Sequence, residues 1–109
     1  MGFLPDGVAI MSEQVHVIAY LYCKEGCVES LKVVLTDLIG PTRKETGCLR
    51  YDLVQNHFDP REMVFVEIWE SRAALDVHLR SGYLQDIAFR LEGLLEKPVD
   101  IRLYGLIES

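Results

Sequence analysis

Glu67, Trp69 and His78 are the residues of this chain whose types and spacing best suit proton transfer in a small pocket. Glu67 and Trp69 stand two apart in the strand-like run 63–70 (MVFVEIWE), so they share a face with Met63 and Phe65. A carboxylate is thereby set among apolar side chains. Burial there raises its pKa unless a cation or hydrogen bonds offset the loss of water, and such a group can give or take a proton. His78 follows Trp69 by nine residues on the apolar face of an expected helix. Imidazole and indole can then approach one space between helix and sheet. Phe65 and Tyr51 are further rings for the lining of such a site, and convergence of these groups on one small volume would make a pocket. Each key residue also has a structural alternative. Glu67 can be exposed or fixed by a hydrogen bond, His78 can donate to a carbonyl in the core, and Trp69 can be packing alone.

Other candidates are less well placed. His16 lies on a strand and His57 in a turn, neither with a ligand set nearby, so structural or surface roles are expected. Asn56 and Asp59 belong to turn chemistry. Cys23, Cys27 and Cys48 form no CxxC pair. They point to neither a disulfide framework nor a zinc site, and read as small apolar residues in a reducing cytoplasm, with Cys27 at a loop-to-helix junction. The chain has no glycine-rich phosphate loop, paired-histidine metal motif or nucleophile elbow, so the usual anchors of phosphoryl transfer, metallohydrolase and serine hydrolase chemistry are missing.

The elements that must hold these residues follow from hydrophobic periodicity. Residues 15–22 (VHVIAYLY) read as a first strand closed by Lys24-Glu25-Gly26. From residue 28 to about 44, Leu31, Val34, Leu35, Leu38 and Ile39 recur at helical spacing, with Gly40-Pro41 expected to end, kink or restart the helix. Residues 48–55 alternate as a second strand, and the turn 56–61 leads to the third strand, 63–70. Ser71 is a good N-cap for a helix with Ala74, Leu75, His78 and Leu79 on one face. A third helix is expected over 83–95 and a last strand over 99–107. The order β-α-β-β-α(α)-β is the split βαβ pattern of an α+β, ferredoxin-like fold with an antiparallel sheet and helices on one face.

Residues 15–107 are expected to form the domain and residues 1–14 a loose extension with no signal-peptide pattern. At 109 residues, 50% apolar and 26% charged, the chain can bury one core without metals or disulfides. Strand one is apolar on both faces, with Val15, Val17, Ala19 and Leu21 on one side and Ile18, Tyr20 and Tyr22 on the other. A second copy is expected to cover the face left bare, giving a homodimer. A net charge of −6 without a Lys/Arg cluster argues against nucleic acid, and no run approaches a membrane span.

The runs Glu45-Thr-Gly-Cys-Leu-Arg-Tyr-Asp52, Asp59-Pro60, Glu67-Ile-Trp69-Glu-Ser and Ala73-Ala-Leu-Asp-Val-His78-Leu resemble the antibiotic biosynthesis monooxygenase domain family, across about residues 15–107. The resemblance implies a dimeric α/β barrel and oxidation of a quinol or phenolic small molecule by O2 with no metal, flavin or haem. It also implies roles: Trp69 and Phe65 stack the ring, and Glu67 or His78 handles the proton. The haem-degrading branch is disfavoured, because Ala19, His78 and Ala88 stand where its Asn, Trp and His would. Many members carry a second His after the first, whereas this chain has Ser81-Gly82-Tyr83, so Tyr83 takes that place. A phenol is a weaker base than imidazole near neutrality. A dimeric binding or stress-response module, or an isomerase of a small hydroxycarbonyl compound, is the alternative on the same scaffold.

Overall fold

The computed structural model describes residues 13–107. The expected extension, residues 1–14, therefore lies outside the described residues except for Glu13 and Gln14. The elements run β1 (Val15–Tyr22), α1 (Val28–Arg43), β2 (Cys48–Gln55), β3 (Glu62–Trp69), α2 (Arg72–Leu79), α3 (Gly82–Leu91) and β4 (Asp100–Tyr104). All pairings are antiparallel, in the order β2-β3-β1-β4. This is the ferredoxin-like α+β fold, and within one chain the sheet stays open and does not close into a barrel.

Period-two alternation decides which sheet face meets the helices. Along β3, Met63, Phe65, Glu67 and Trp69 are buried while Glu62, Val64, Val66 and Ile68 are half-buried. Val17, Ala19 and Leu21 of β1 bury on the same side as that first set, and Tyr51 sits opposite Glu67 in register. The matching helical stripe is Leu31, Val34, Leu35, Leu38 and Thr42 of α1, with Leu75 and His78 from α2 and Ile87 and Leu91 from α3. The Ser71 hydroxyl caps α2 by accepting from the Ala74 N–H at 3.1 Å.

Besides one-residue shifts at β3 and at the start of α3, three features differ from the periodicity reading. Pro41 neither ends nor restarts α1, which continues to Arg43. Gly40, Pro41 and Asp37 are exposed, so the Asp37 carbonyl that loses a donor faces water, and the turn closes tightly through Lys44 N–H to Pro41 O and Glu45 N–H to Thr42 O. The third helix stops at Leu91, short of Leu95. Gly93 takes φ +85°, and the chain then turns to pair with the end of β1, with Lys24 N–H to Leu94 O at 2.9 Å and Glu96 N–H to Tyr22 O at 2.8 Å. The last strand is shorter than expected because β1 offers partners only from His16 to Tyr20.

The turn before β2 fixes how closely α2 can approach. Gly47 has φ +88°, its carbonyl accepts from Glu70 N–H at 2.8 Å, and a Cβ built on it would lie 2.6 Å from Ala74 Cβ. Left-handed backbone and the close approach both demand glycine. Gly47→Ala is expected to destabilise the fold by about 3 kcal/mol, read as a lowered urea midpoint at unchanged slope. An unchanged midpoint would show that α2 can move away freely.

Candidate active site

Between sheet and helices lies a cavity of about 230 Å³. Its walls are apolar, supplied by Val17, Ala19 and Leu21 of β1, Leu35 and Leu38 of α1, Leu75 and Leu79 of α2, Leu84, Ile87 and Leu91 of α3, and Phe65 of β3. The polar lining groups among the described residues are Tyr51, Glu67, His78 and Gln85. Gln85, Ala88 and Ile101 line it and are exposed, so the cavity reaches the surface beside α3 and β4. No Lys or Arg lines it among the described residues.

Glu67 is placed by strand alternation alone. Its carboxylate Oε1 accepts from Trp69 Nε1–H at 2.8 Å, and the side chain is buried in the cavity lining. Burial pushes its pKa up to about 7, against the lowering effect of the indole hydrogen bond. Opposite it, Tyr51 stacks on Phe65 with ring centroids 4.6 Å apart, and burial followed by the nearby Glu67 carboxylate holds its phenol well above the ordinary value. Arg43 Nε–H donates to the Tyr51 carbonyl at 3.0 Å, tying the end of α1 to β2 at this point.

His78, 3% exposed, is held on three sides. Its ring stacks on Trp69 at 4.7 Å and 30°, and Tyr51 meets it edge-on at 5.8 Å and 70°. Nδ1 lies 2.9 Å from Glu45 Oε2. That same carboxylate oxygen accepts from the Tyr83 hydroxyl, which is 2.9 Å from Thr42 Oγ1. Burial first, then the Glu45 hydrogen bond, raises the Tyr83 phenol to about 12, so it stays protonated. Nε2 of His78 has no hydrogen-bond partner among the described residues, and the ring lines the cavity.

The structure thus brings Glu67, His78, Phe65 and Tyr51 to one wall. Trp69, expected to stack a substrate ring, lies behind that wall instead. Its indole is fully buried, with one face on His78 and its N–H donating to Glu67, and it does not line the cavity. Tyr83 is likewise a partner of Glu45 and Thr42 and not part of the lining. Two residues of the cluster were not singled out from the sequence. Thr42 continues the stripe Leu31, Leu35, Leu38 at helical spacing and is a buried polar residue there, a signal that was available. Glu45 reaches His78 across 33 positions, and no local pattern marks that pairing.

Of the remaining candidates, Asn56 and Asp59 shape a turn, and His16 lies on β1 with its Nε2 buried and without a hydrogen-bond partner among the described residues. Asn56 Oδ1 accepts from Phe58 N–H at 2.7 Å and Asp59 N–H at 3.2 Å, which builds the β2–β3 turn. Cys23 is buried and Cys27 and Cys48 half-buried, all as free thiols. Among the described residues no cluster of three or more His, Cys, Asp or Glu could hold a metal ion, and no helix is long and apolar enough to cross a membrane.

The described residues thus form an open ferredoxin-like sheet roofed by helices over a mostly apolar cavity that Glu67 and His78 both line. The chain belongs to the antibiotic biosynthesis monooxygenase family, whose model matches residues 14–88. It is 35% identical over 99 residues to Rv0793 of Mycobacterium tuberculosis, covering 91% of this chain and 97% of that protein. The solved structure of Rv0793 matches with a TM-score of 0.83 at 31% identity, covering 88% of this chain and 97% of that one. PA3566 of Pseudomonas aeruginosa matches with a TM-score of 0.83 at 32% identity, covering 90% and 98%. A Synechocystis protein, sll1783, is 34% identical over 71 residues, which is 65% of this chain and only about half, 48%, of that protein's length.

Proposed function

We propose that this protein is a cofactor-independent monooxygenase that oxidises a neutral single-ring phenol or hydroquinone with O2. The observation that carries this reading is that a buried carboxyl, Glu67, and a buried imidazole, His78, both line a mostly apolar cavity. A cavity of roughly 150 Å³ accepts benzene, so about 230 Å³ has room for a substituted ring and little more. With no Lys or Arg in the lining among the described residues, an anionic substrate would be desolvated without a partner. Membership of the antibiotic biosynthesis monooxygenase family supports the reaction type.

The chemistry needs little from the protein. His78 Nε2 takes the phenol proton, and the electron-rich phenolate passes an electron to O2. Recombination forms a carbon–oxygen bond at the ring. Cleavage of the O–O bond, with loss of the ring C–H proton, leaves one oxygen as a quinone carbonyl and releases the other as water. Apolar walls exclude bulk water while this happens. Glu67, with a pKa of about 7, is suited to return a proton to the peroxide.

Oxygen uptake with a panel of hydroquinones and phenols tests the reading. Turnover that incorporates one oxygen atom into the product is expected. Ligand-induced thermal shifts with no oxygen uptake would instead leave a binding module. Proton exchange at carbon under anaerobic conditions would indicate an isomerase.

The same reading includes a homodimer. The sheet face away from the helices carries half-buried Ile18, Tyr20, Val64, Val66 and Ile68, too much apolar surface to leave to water in a chain of this size. A second copy packing its sheet there would cover both faces. Sedimentation at twice the chain mass is expected, and a monomer at micromolar concentration would refute the assembly.

A further inference from the structure

Resting on the reading of His78 as the base, we propose that Glu45 is a positioning residue that fixes the His78 ring as its Nδ1–H tautomer and so presents an unprotonated Nε2 to the cavity. Glu45 stands in the segment between α1 and β2, behind the imidazole as seen from the cavity. Its Oε2 lies 2.9 Å from His78 Nδ1 and already accepts from the Tyr83 hydroxyl. A carboxylate oxygen has only lone pairs to offer its neighbours, so Nδ1 donates to it and the lone pair remains on Nε2; the Tyr83 hydroxyl, 3.5 Å from Nδ1, gives its proton to the same carboxylate. The opposite tautomer would turn an N–H toward the ligand. A phenol would then meet a donor where its proton needs an acceptor.

The carboxylate is itself held in place. Tyr83 reaches it from α3, and the Tyr83 oxygen is 2.9 Å from Thr42 Oγ1, a fully buried hydroxyl on α1. The side chain of Glu45 is 17% exposed and that of His78 3%. When the substrate O–H breaks and Nε2–H forms, Nδ1–H stays intact and the new positive charge sits against Glu45. An imidazolium in so apolar a cavity has no other anion behind its ring at this distance among the described residues. Such a carboxylate also stabilises the charged form as it develops.

Nitrogen-15 spectroscopy of the imidazole in the full-length labelled protein tests this without any turnover. The expected wild-type pattern is a protonated Nδ1 and a pyridine-like Nε2 in the neutral ring. Glu45→Ala is expected to populate the Nε2–H tautomer, and added formate, entering the partly exposed gap, to restore the wild-type pattern. With an active hydroquinone, the variant should lose about 100-fold in kcat and regain rate with formate. Three results would overturn the proposal: a protonated Nε2 in the neutral wild-type ring, an unchanged pattern in Glu45→Ala, or a variant pattern that formate leaves untouched. The wild-type spectrum decides on its own if the variant fails to fold. A chain that shows the Nδ1–H ring yet consumes no oxygen would sink the oxygenase reading and leave the role of Glu45 standing.

Discussion

His78→Ala is expected to lower oxygen-dependent turnover of a hydroquinone at least about 100-fold, since a positioned general base contributes that much or more. The alanine variant, however, also removes a ring that stacks on Trp69 and leaves Glu45 with Tyr83 as its remaining hydrogen-bond partner. His78→Phe separates these effects. Phenylalanine keeps an aromatic face against the indole and removes both nitrogens. If the nitrogen is the base, the two variants lose similar amounts of kcat, and near-ultraviolet circular dichroism of Trp69 in the phenylalanine variant stays close to wild type. Phenylalanine retaining most of the rate would reduce His78 to packing. Loss confined to KM in both variants would mean that the imidazole binds substrate without taking its proton.

The sheet was legible because alternation leaves a strong trace. In β3 the buried set Met63, Phe65, Glu67 and Trp69 is separated by half-buried neighbours at every step, so one strand fixes which face holds the chemistry. The approach of His78 to that face was legible for the same kind of reason, one helical stripe. What the pattern could not supply was depth. Trp69 and Phe65 share a face, yet only Phe65 lines the cavity, because Trp69 sits at the end of the strand where α2 lies directly over it. Nor does periodicity register a contact such as Glu45 with His78. That pairing spans 33 positions and joins the segment before β2 to α2, a tertiary contact. Pro41 misleads for a related reason. Its cost in a helix depends on whether the orphaned carbonyl meets water, and exposure is not written in the local sequence.

Glu67→Gln is expected to change the pH dependence of stability more than any other single substitution at the cavity. The folded-state pKa of Glu67, about 7, lies above its ordinary value of 4.5. The native chain therefore holds this proton over a window in which the unfolded chain has released it. Below about pH 4.5 the group is protonated in both states and costs nothing. As pH rises toward 7 the unfolded state gains by ionising, and above 7 the full penalty of a desolvated carboxylate is present, about 3 kcal/mol. The amide of the variant would keep an acceptor for Trp69 Nε1–H and carry no charge at any pH. The two proteins should therefore have similar urea stabilities near pH 4.5, and the variant should become more stable through the window, by about 2 to 3 kcal/mol at pH 8. A gap that stays constant from pH 4.5 to 8 would mean that Glu67 titrates normally and that water reaches its carboxylate. The same result would remove the reason to assign it proton return to a peroxide. A gap that opens as expected would mean that this carboxyl is kept, at a cost in stability, for something other than holding the fold together.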